Sequence, residues 1–252
     1  MSASEEAYLS LEEPPRSDHL WRYTPWKRVH PTGNPNEIPD GISTPEISLS
    51  MINGEEASEI SLEMGNAISI PFEGSLVSNS FLSAITNGKA IRITIPENWR
   101  NETPLILDVK PTGGLDAVHI HVETGKFSEA TILTRVQGSS EWLGLLRTGH
   151  TGVGSFLQDV FVNKARDGNL MRVDALKLGR DSSVTAGTVS AGSAWTKADI
   201  RYLLDAPGSN LNVLGSLLSA DQMHLDHHIE ISHLAPNTYS RRAWHTACGG
   251  NS

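Results

Sequence analysis

The stretch Leu176–Ala220 reads LKLGRDSSVTAGTVSAGSAWTKADIRYLLDAPGSNLNVLGSLLSA. Short apolar or alternating runs, LKL, SVTAGTVS, DIRYLL and LNVLGSLL, are parted by GRDSS, SAGSA and DAPGSN, clusters of Gly, Asp, Ser and Asn that favour turns. The pattern extends both ways. FLQDVFV (156–162), LMRVDALKL (170–178), SVTAGTVS (183–190), DIRYLL (199–204), LNVLGSLL (211–218) and LDHHIEIS (225–232) start about fourteen residues apart. Upstream lie AISIPF (67–72), AIRITI (90–95), LILDV (105–109), AVHIHVE (117–123) and ATILTRV (130–136). No stretch holds a 3.6-residue apolar period, which argues against βαβ crossovers. Evenly spaced strands without helices predict an all-β sandwich, barrel or solenoid. Two-residue Asn-Gly or Asp-Gly turns are scarce between runs, and run length repeats with little identity; both favour the solenoid, with a sandwich as its rival.

The 252 residues, with charged residues at 19% and a net charge of −9, describe a chain with room for a large core, and the charge argues against nucleic acid or an anionic membrane as the main partner. Cys248 is the single cysteine, so neither an internal disulfide nor a CxxC zinc or redox motif is possible. MSASEEAYLSLEEPP lacks the basic and apolar regions of a signal peptide, and no run approaches a membrane span, so a cytoplasmic protein is expected. Residues 1–46 form a separate N-terminal segment: a short helix ended by Pro14 and Pro15, the aromatic cluster LWRYTPW (Leu20–Trp26), and a linker with four prolines over 31–46. The β core occupies 47–252.

Two histidine clusters are candidate metal sites. On a strand over 225–232, Leu225, His227, Ile229 and Ile231 share one face, continued by His233, and His224, Asp226, His228 and Glu230 share the other. Two imidazoles and two carboxylates suit zinc or non-haem iron, but side chains two apart project in parallel and converge on an ion only with help from another strand. The alternative is a solvated polar ladder opposite an Ile-lined inner face. His119 and His121 carry the HxH spacing of cupin-type sites, with Glu123 on the same face and His150 downstream. GHTGVGS (149–155) lacks the lysine and helix of a phosphate loop and reads as a β-turn. No GxSxG nucleophile elbow or marked carboxylate pair is present. LWRYTPW is a docking anchor or a local apolar cluster.

The tail DHHIEISHLAPNTYSRRAWHTACGGNS resembles the SufB/SufD family of SUF iron–sulfur cluster assembly scaffolds, whose pattern is D-H-x-x-x-(I/V)-x-H-x-A-P-x-T-x-S-(R/K). Asp226, His227, Ile231, His233, Ala235, Pro236, Thr238, Ser240 and Arg241 match it. WRYTPW resembles the E-x-W-R-Y-T opening of SufD, and the middle of the chain resembles the family's core, rung by rung. The resemblance implies a right-handed parallel β-helix with a small, partly helical N-terminal segment. It implies a non-catalytic, SufD-like scaffold that pairs with a SufB-like subunit and works with a SufC-like ATPase, through an interface near Asp226 and Arg241. No cofactor is implied for this chain alone; a cluster would lie at the interface of the full complex. Family members continue past the position of Ser252 with a helical segment bearing Cys-x-His-Gly-Ala, so the resemblance implies a truncated or short chain and transfers no cluster ligand. The competing expectations are a β-helix or cupin-like metalloenzyme and a homodimer without SUF partners.

Overall fold

The computed structural model describes residues 2–67 and 76–250. The run AISIPF lies almost wholly outside them. Among the described residues fourteen strands form two sheets of seven. One sheet holds, in spatial order, β1 (Glu46–Met51), β4 (Leu105–Lys110), β6 (Glu129–Gly138), β8 (Phe156–Ala165), β10 (Ser183–Ser190), β12 (Asn210–Ala220) and β14 (Tyr239–Gly249). The other holds β13 (His224–His233), β11 (Trp195–Leu204), β9 (Asn169–Leu178), β7 (Trp142–His150), β5 (Leu115–Thr124), β3 (Lys89–Ile95) and β2 (Ser61–Asn66). From β3 onward every pairing is parallel and consecutive strands alternate between sheets, so the chain coils as a solenoid of six two-strand turns. Among the described residues the antiparallel pairs are β1 with β4 and β2 with β3. Trp142 lies beside Asn169, Asn169 beside Trp195, and Trp195 beside His224, so one turn takes 26 to 29 residues. The fourteen-residue spacing in the sequence is half a turn. An antiparallel sandwich or cupin jelly roll is thereby excluded.

One corner explains why the coil repeats. Asn98, Phe127, Gly154, Asp181, Gly208 and Asn237 all have positive φ, between 55° and 76°, once per turn. The amides of the first four donate to the carbonyl just before the next corner, Asn98 N–H to Lys126 O, Phe127 to Val153, Gly154 to Arg180 and Asp181 to Pro207, and Gly208 N–H donates to Asn237 O. After four of the six corners the next residue is a buried serine, Ser128, Ser155, Ser182 or Ser209. The first three donate to the carbonyl three residues back, at Gly125, Gly152 and Gly179. The repeat is written as GKFS, GVGS and GRDS, 27 residues apart. GHTGVGS is thus a corner, as its turn chemistry predicted.

Inward residues from both sheets fill the lumen, among them Ile93, Leu107, Ile120, Leu145, Phe161, Leu178, Ile200 and Leu211. The outer face of the β5–β13 sheet carries a second core. Helices α1 (Ala3–Leu9), α2 (Trp26–Val29) and α3 (Leu76–Ile85) and a 3₁₀ turn (His19–Trp21) place Tyr8, Leu20, Trp21, Trp26, Val29, Phe81 and Leu82 against Trp142, Leu146, Met171 and Val173. The capping box of α1, Ser2 with Glu5, holds its start. Helix α3 is absent from the sequence-based expectation: its ten residues make fewer than three turns, too few to establish a period. No described helix is long and apolar enough to cross a membrane.

Candidate functional site

The motif-bearing strand β13 has the faces its alternation predicts. Ile229 and Ile231 pack on the lumen core. His227 also points inward, its ring 6.0 Å from Trp244, and burial pushes its pKa down. The opposite face is not a solvated ladder. Each of its residues is half-buried and engaged. Asp226 Oδ2 accepts from Thr24 Oγ1 at 2.6 Å and from Lys197 Nζ at 2.8 Å. His224 Nε2 meets the same Thr24 hydroxyl at 2.9 Å, and its ring stacks on Trp195 at 4.4 Å. His228 Nδ1 contacts Asp199 Oδ1 at 3.1 Å, and Glu230 accepts from Arg201. The four residues proposed as metal ligands are therefore engaged by β11 and the N-terminal segment, His224 and Asp226 at Thr24, Asp226 also at Lys197, His228 at Asp199 and Glu230 at Arg201.

LWRYTPW is the docking anchor. Lys197 donates to Leu20 O at 2.5 Å as well as to Asp226, with its ammonium 5.4 Å from the Trp21 ring. Trp142 Nε1 donates to Val29 O at 2.8 Å. Segments 202 residues apart, both carrying the family resemblance, meet at the Thr24–Asp226 hydrogen bond. Asp226 is thus committed within the chain. His233 and the residues after it make the corner between β13 and β14: His233 Nδ1 contacts Thr238 Oγ1 at 2.7 Å, and Nε2 contacts Ser240 Oγ at 2.9 Å. Thr238 Oγ1 donates to Ala235 O, and Pro236 and Asn237 form the turn. The H-x-A-P-x-T-x-S pattern is therefore a corner clamp, with both imidazole nitrogens used structurally. Arg241 is exposed on the outward face of β14. Cys248 is exposed on the same strand.

The lumen holds a buried ionic cluster that the sequence reading missed. Asp174 on β9 accepts from Arg172 Nε at 2.9 Å and Nη2 at 2.5 Å, and from Arg147 Nη1 at 2.8 Å. Arg147 Nη2 also reaches Asp159 Oδ1 at 2.6 Å. Arg172 stacks 3.8 Å over Phe161 and donates to Thr188. Burial opposes charge on Asp174, but Arg172 and Arg147 outweigh it and hold the carboxyl below its usual range. Burial likewise opposes the Arg147 charge, and Asp159 and Asp174 restore it. Burial, with Asp174 nearby, pushes the Tyr202 hydroxyl up. The available signal was parity: Arg172 and Asp174 share phase with Leu170, Leu176 and Leu178.

The other histidine cluster does converge. His121 and Glu123 lie on one outer face of β5, and His150 on β7 sits in register with Glu123. His121 Nε2 is 3.1 Å from Glu123 Oε1, which also accepts from Arg92 at 3.2 Å. Thr148 Oγ1 lies 2.7 Å from both His121 Nδ1 and His119 Nε2. Burial lowers the pKa of both histidines, that of His119 to about 4.

The family described as SUF system FeS cluster assembly, SufBD core domain, matches residues 109–252, from β4 through β14. A curated relative, an iron–sulfur cluster assembly SufBD family protein of Mycobacterium leprae (strain TN), is 21% identical over 248 residues, 96% of this chain. The chain spans 61% of that relative's length.

Proposed function

We propose, because the chain belongs to the SufBD family of iron–sulfur cluster assembly proteins, that it is a SufD-like, non-catalytic scaffold subunit that pairs with a SufB-like chain. On this reading it works with a SufC-like ATPase in the cytoplasm, and the nascent cluster is cargo held at the subunit interface.

The observation that carries the reading is the meeting of the two resembling segments. The SufD-like WRYTPW anchor docks through Thr24 on Asp226 of the motif strand. This anchor is the feature that favours SufD over SufB. A scaffold role also suits the motif residues, whose hydrogen bonds build the outermost turn rather than a reacting centre. Arg241 is exposed and outward, which supports the reading that this strand faces a partner.

The test is anaerobic purification of the tagged, native-length protein from its own cells, with co-eluting chains identified by mass. Recovery of a SufB-like subunit and an ABC-type ATPase supports the proposal, and Arg241→Glu should reduce that recovery. A chain that elutes without either partner, as a monomer or homodimer, overturns it. Asp226 is unsuited to this test, since its loss disturbs the fold first.

A further inference from the structure

We propose that His121, Glu123 and His150 form a binding site for a first-row divalent transition metal on the outer face of the solenoid. The donors are two imidazoles and one carboxylate, the set that takes zinc(II) or iron(II) with a position left open. Their ligating atoms all lie within 4.8 Å of one another. Among the described residues no other group of three such side chains converges in this way.

Strand geometry explains why convergence occurs here and not on β13. His121 and Glu123 are two apart and project in parallel, and His150 on the adjacent strand closes the triangle opposite Glu123. On β13, the neighbouring strand instead presents Lys197 and Arg201, which neutralise the carboxylates. A tetrahedral site with bonds of about 2.0–2.1 Å needs donors roughly 3.3 Å apart. His121 is fully buried, whereas His150 is exposed, its ring 6.0 Å from that of His121.

The surroundings support ligation. His121 Nδ1 is held by Thr148, which leaves Nε2 aimed at Glu123, the arrangement in which a second hydrogen bond fixes the ring of a ligating histidine. Thr148 is held in turn by His119, whose Nδ1 is buried without a hydrogen-bond partner and whose ring lines a cavity of about 100 Å³. Loading His121 Nε2 requires its proton on Nδ1; Thr148 then donates to His119 Nε2, and the His119 proton moves to Nδ1. Both hydrogen bonds to Glu123 fall on Oε1, so Oε2 is available to an ion. Arg92 opposes a cation electrostatically and sets the affinity below that of an unopposed triad.

The experiment titrates the tag-free, metal-stripped full chain with Zn²⁺ by calorimetry and with Co²⁺ by visible absorption. One equivalent should bind, with the intense ligand-field bands of a low-coordinate Co²⁺ site. His150→Ala, at an exposed position, and Glu123→Gln should each weaken binding by about tenfold or more, the scale of losing a ligand or its partner. Arg92→Gln should tighten it. Absence of stoichiometric binding overturns the proposal, and so does binding that survives both ligand substitutions. Loss of binding in His228→Ala, with His150→Ala unaffected, would place the ion on β13 and overturn it equally.

Discussion

Replacement of Asp174 by asparagine tests whether the lumen charges are a single balanced unit. Arg147, Arg172, Asp159 and Asp174 sum to zero charge, and Asp174 takes three of the hydrogen bonds that join them. Asp174 is 6% exposed and Arg172 2%. The substitution Asp174→Asn would keep the shape, lose one negative charge and leave the two guanidinium groups facing Asp159 alone. Breaking a buried pair by removing one partner costs about 3–5 kcal/mol. With a urea dependence near 2 kcal/mol/M, the unfolding midpoint should fall by roughly 1.5–2.5 M. The sign of the pH effect follows. The Asp174 pKa is depressed in the folded state, so its stabilisation is present above the unfolded carboxyl value of about 3.9 and is lost as pH falls below it. The variant should lack that acid-side loss. Exchange of all four residues for apolar ones of similar size should cost far less than the single change, since it removes every desolvated charge together. A midpoint shift under about 0.3 M for Asp174→Asn, or a fourfold variant weaker than the single one, would refute the reasoning.

Three further outcomes are expected. His30 is buried against Phe81, with its pKa lowered to about 4 by burial, so the unfolded chain takes up a proton that the folded one refuses. Stability should therefore fall as pH drops from about 6.5 towards 4, by up to about 1.4 kcal/mol per pH unit from this residue; urea titrations of His30→Gln should show a slope shallower by that amount. His233→Ala should cost about 1 kcal/mol by removing both bonds of an exposed corner, read as a shift in thermal midpoint with the two-sheet circular dichroism intact. Gly154→Ala should cost more, roughly 1–3 kcal/mol, because φ is +62° and the new methyl would sit 2.8 Å from the Phe127 ring; chemical denaturation measures it.

Strands were legible wherever one face met the lumen and the other met water. Strands β6, β8, β10 and β12 alternate plainly, and β13 shows the predicted Ile229/Ile231 inner face. Strand β7 was not legible, because its outward Trp142 and Leu146 lie beneath the N-terminal segment and both faces are apolar. Strand β14 was missed for the opposite reason: its inward positions include Arg242 and Thr246, so no apolar run marks it. The motif residues were found, but the corner clamp that several of them build was not, since a clamp and a partner surface use the same residue types. The convergence of His150 with His121 and Glu123 depends on a 27-residue register that spacing within one strand cannot supply.

Proteins built from stacked turns behave as one-dimensional arrays in which each unit senses only its neighbours, and their ends fray independently. The N-terminal segment changes that dimension. It bridges to Asp116 on β5 through Ser43, bonds Trp142 on β7, packs on Met171 and Val173 of β9, and reaches Lys197 on β11 and Asp226 on β13. A single brace along the axis makes loss of the last turn, at β13, weaken the hold on every turn back to β5. The coil should therefore melt as one cooperative unit rather than by sequential peeling.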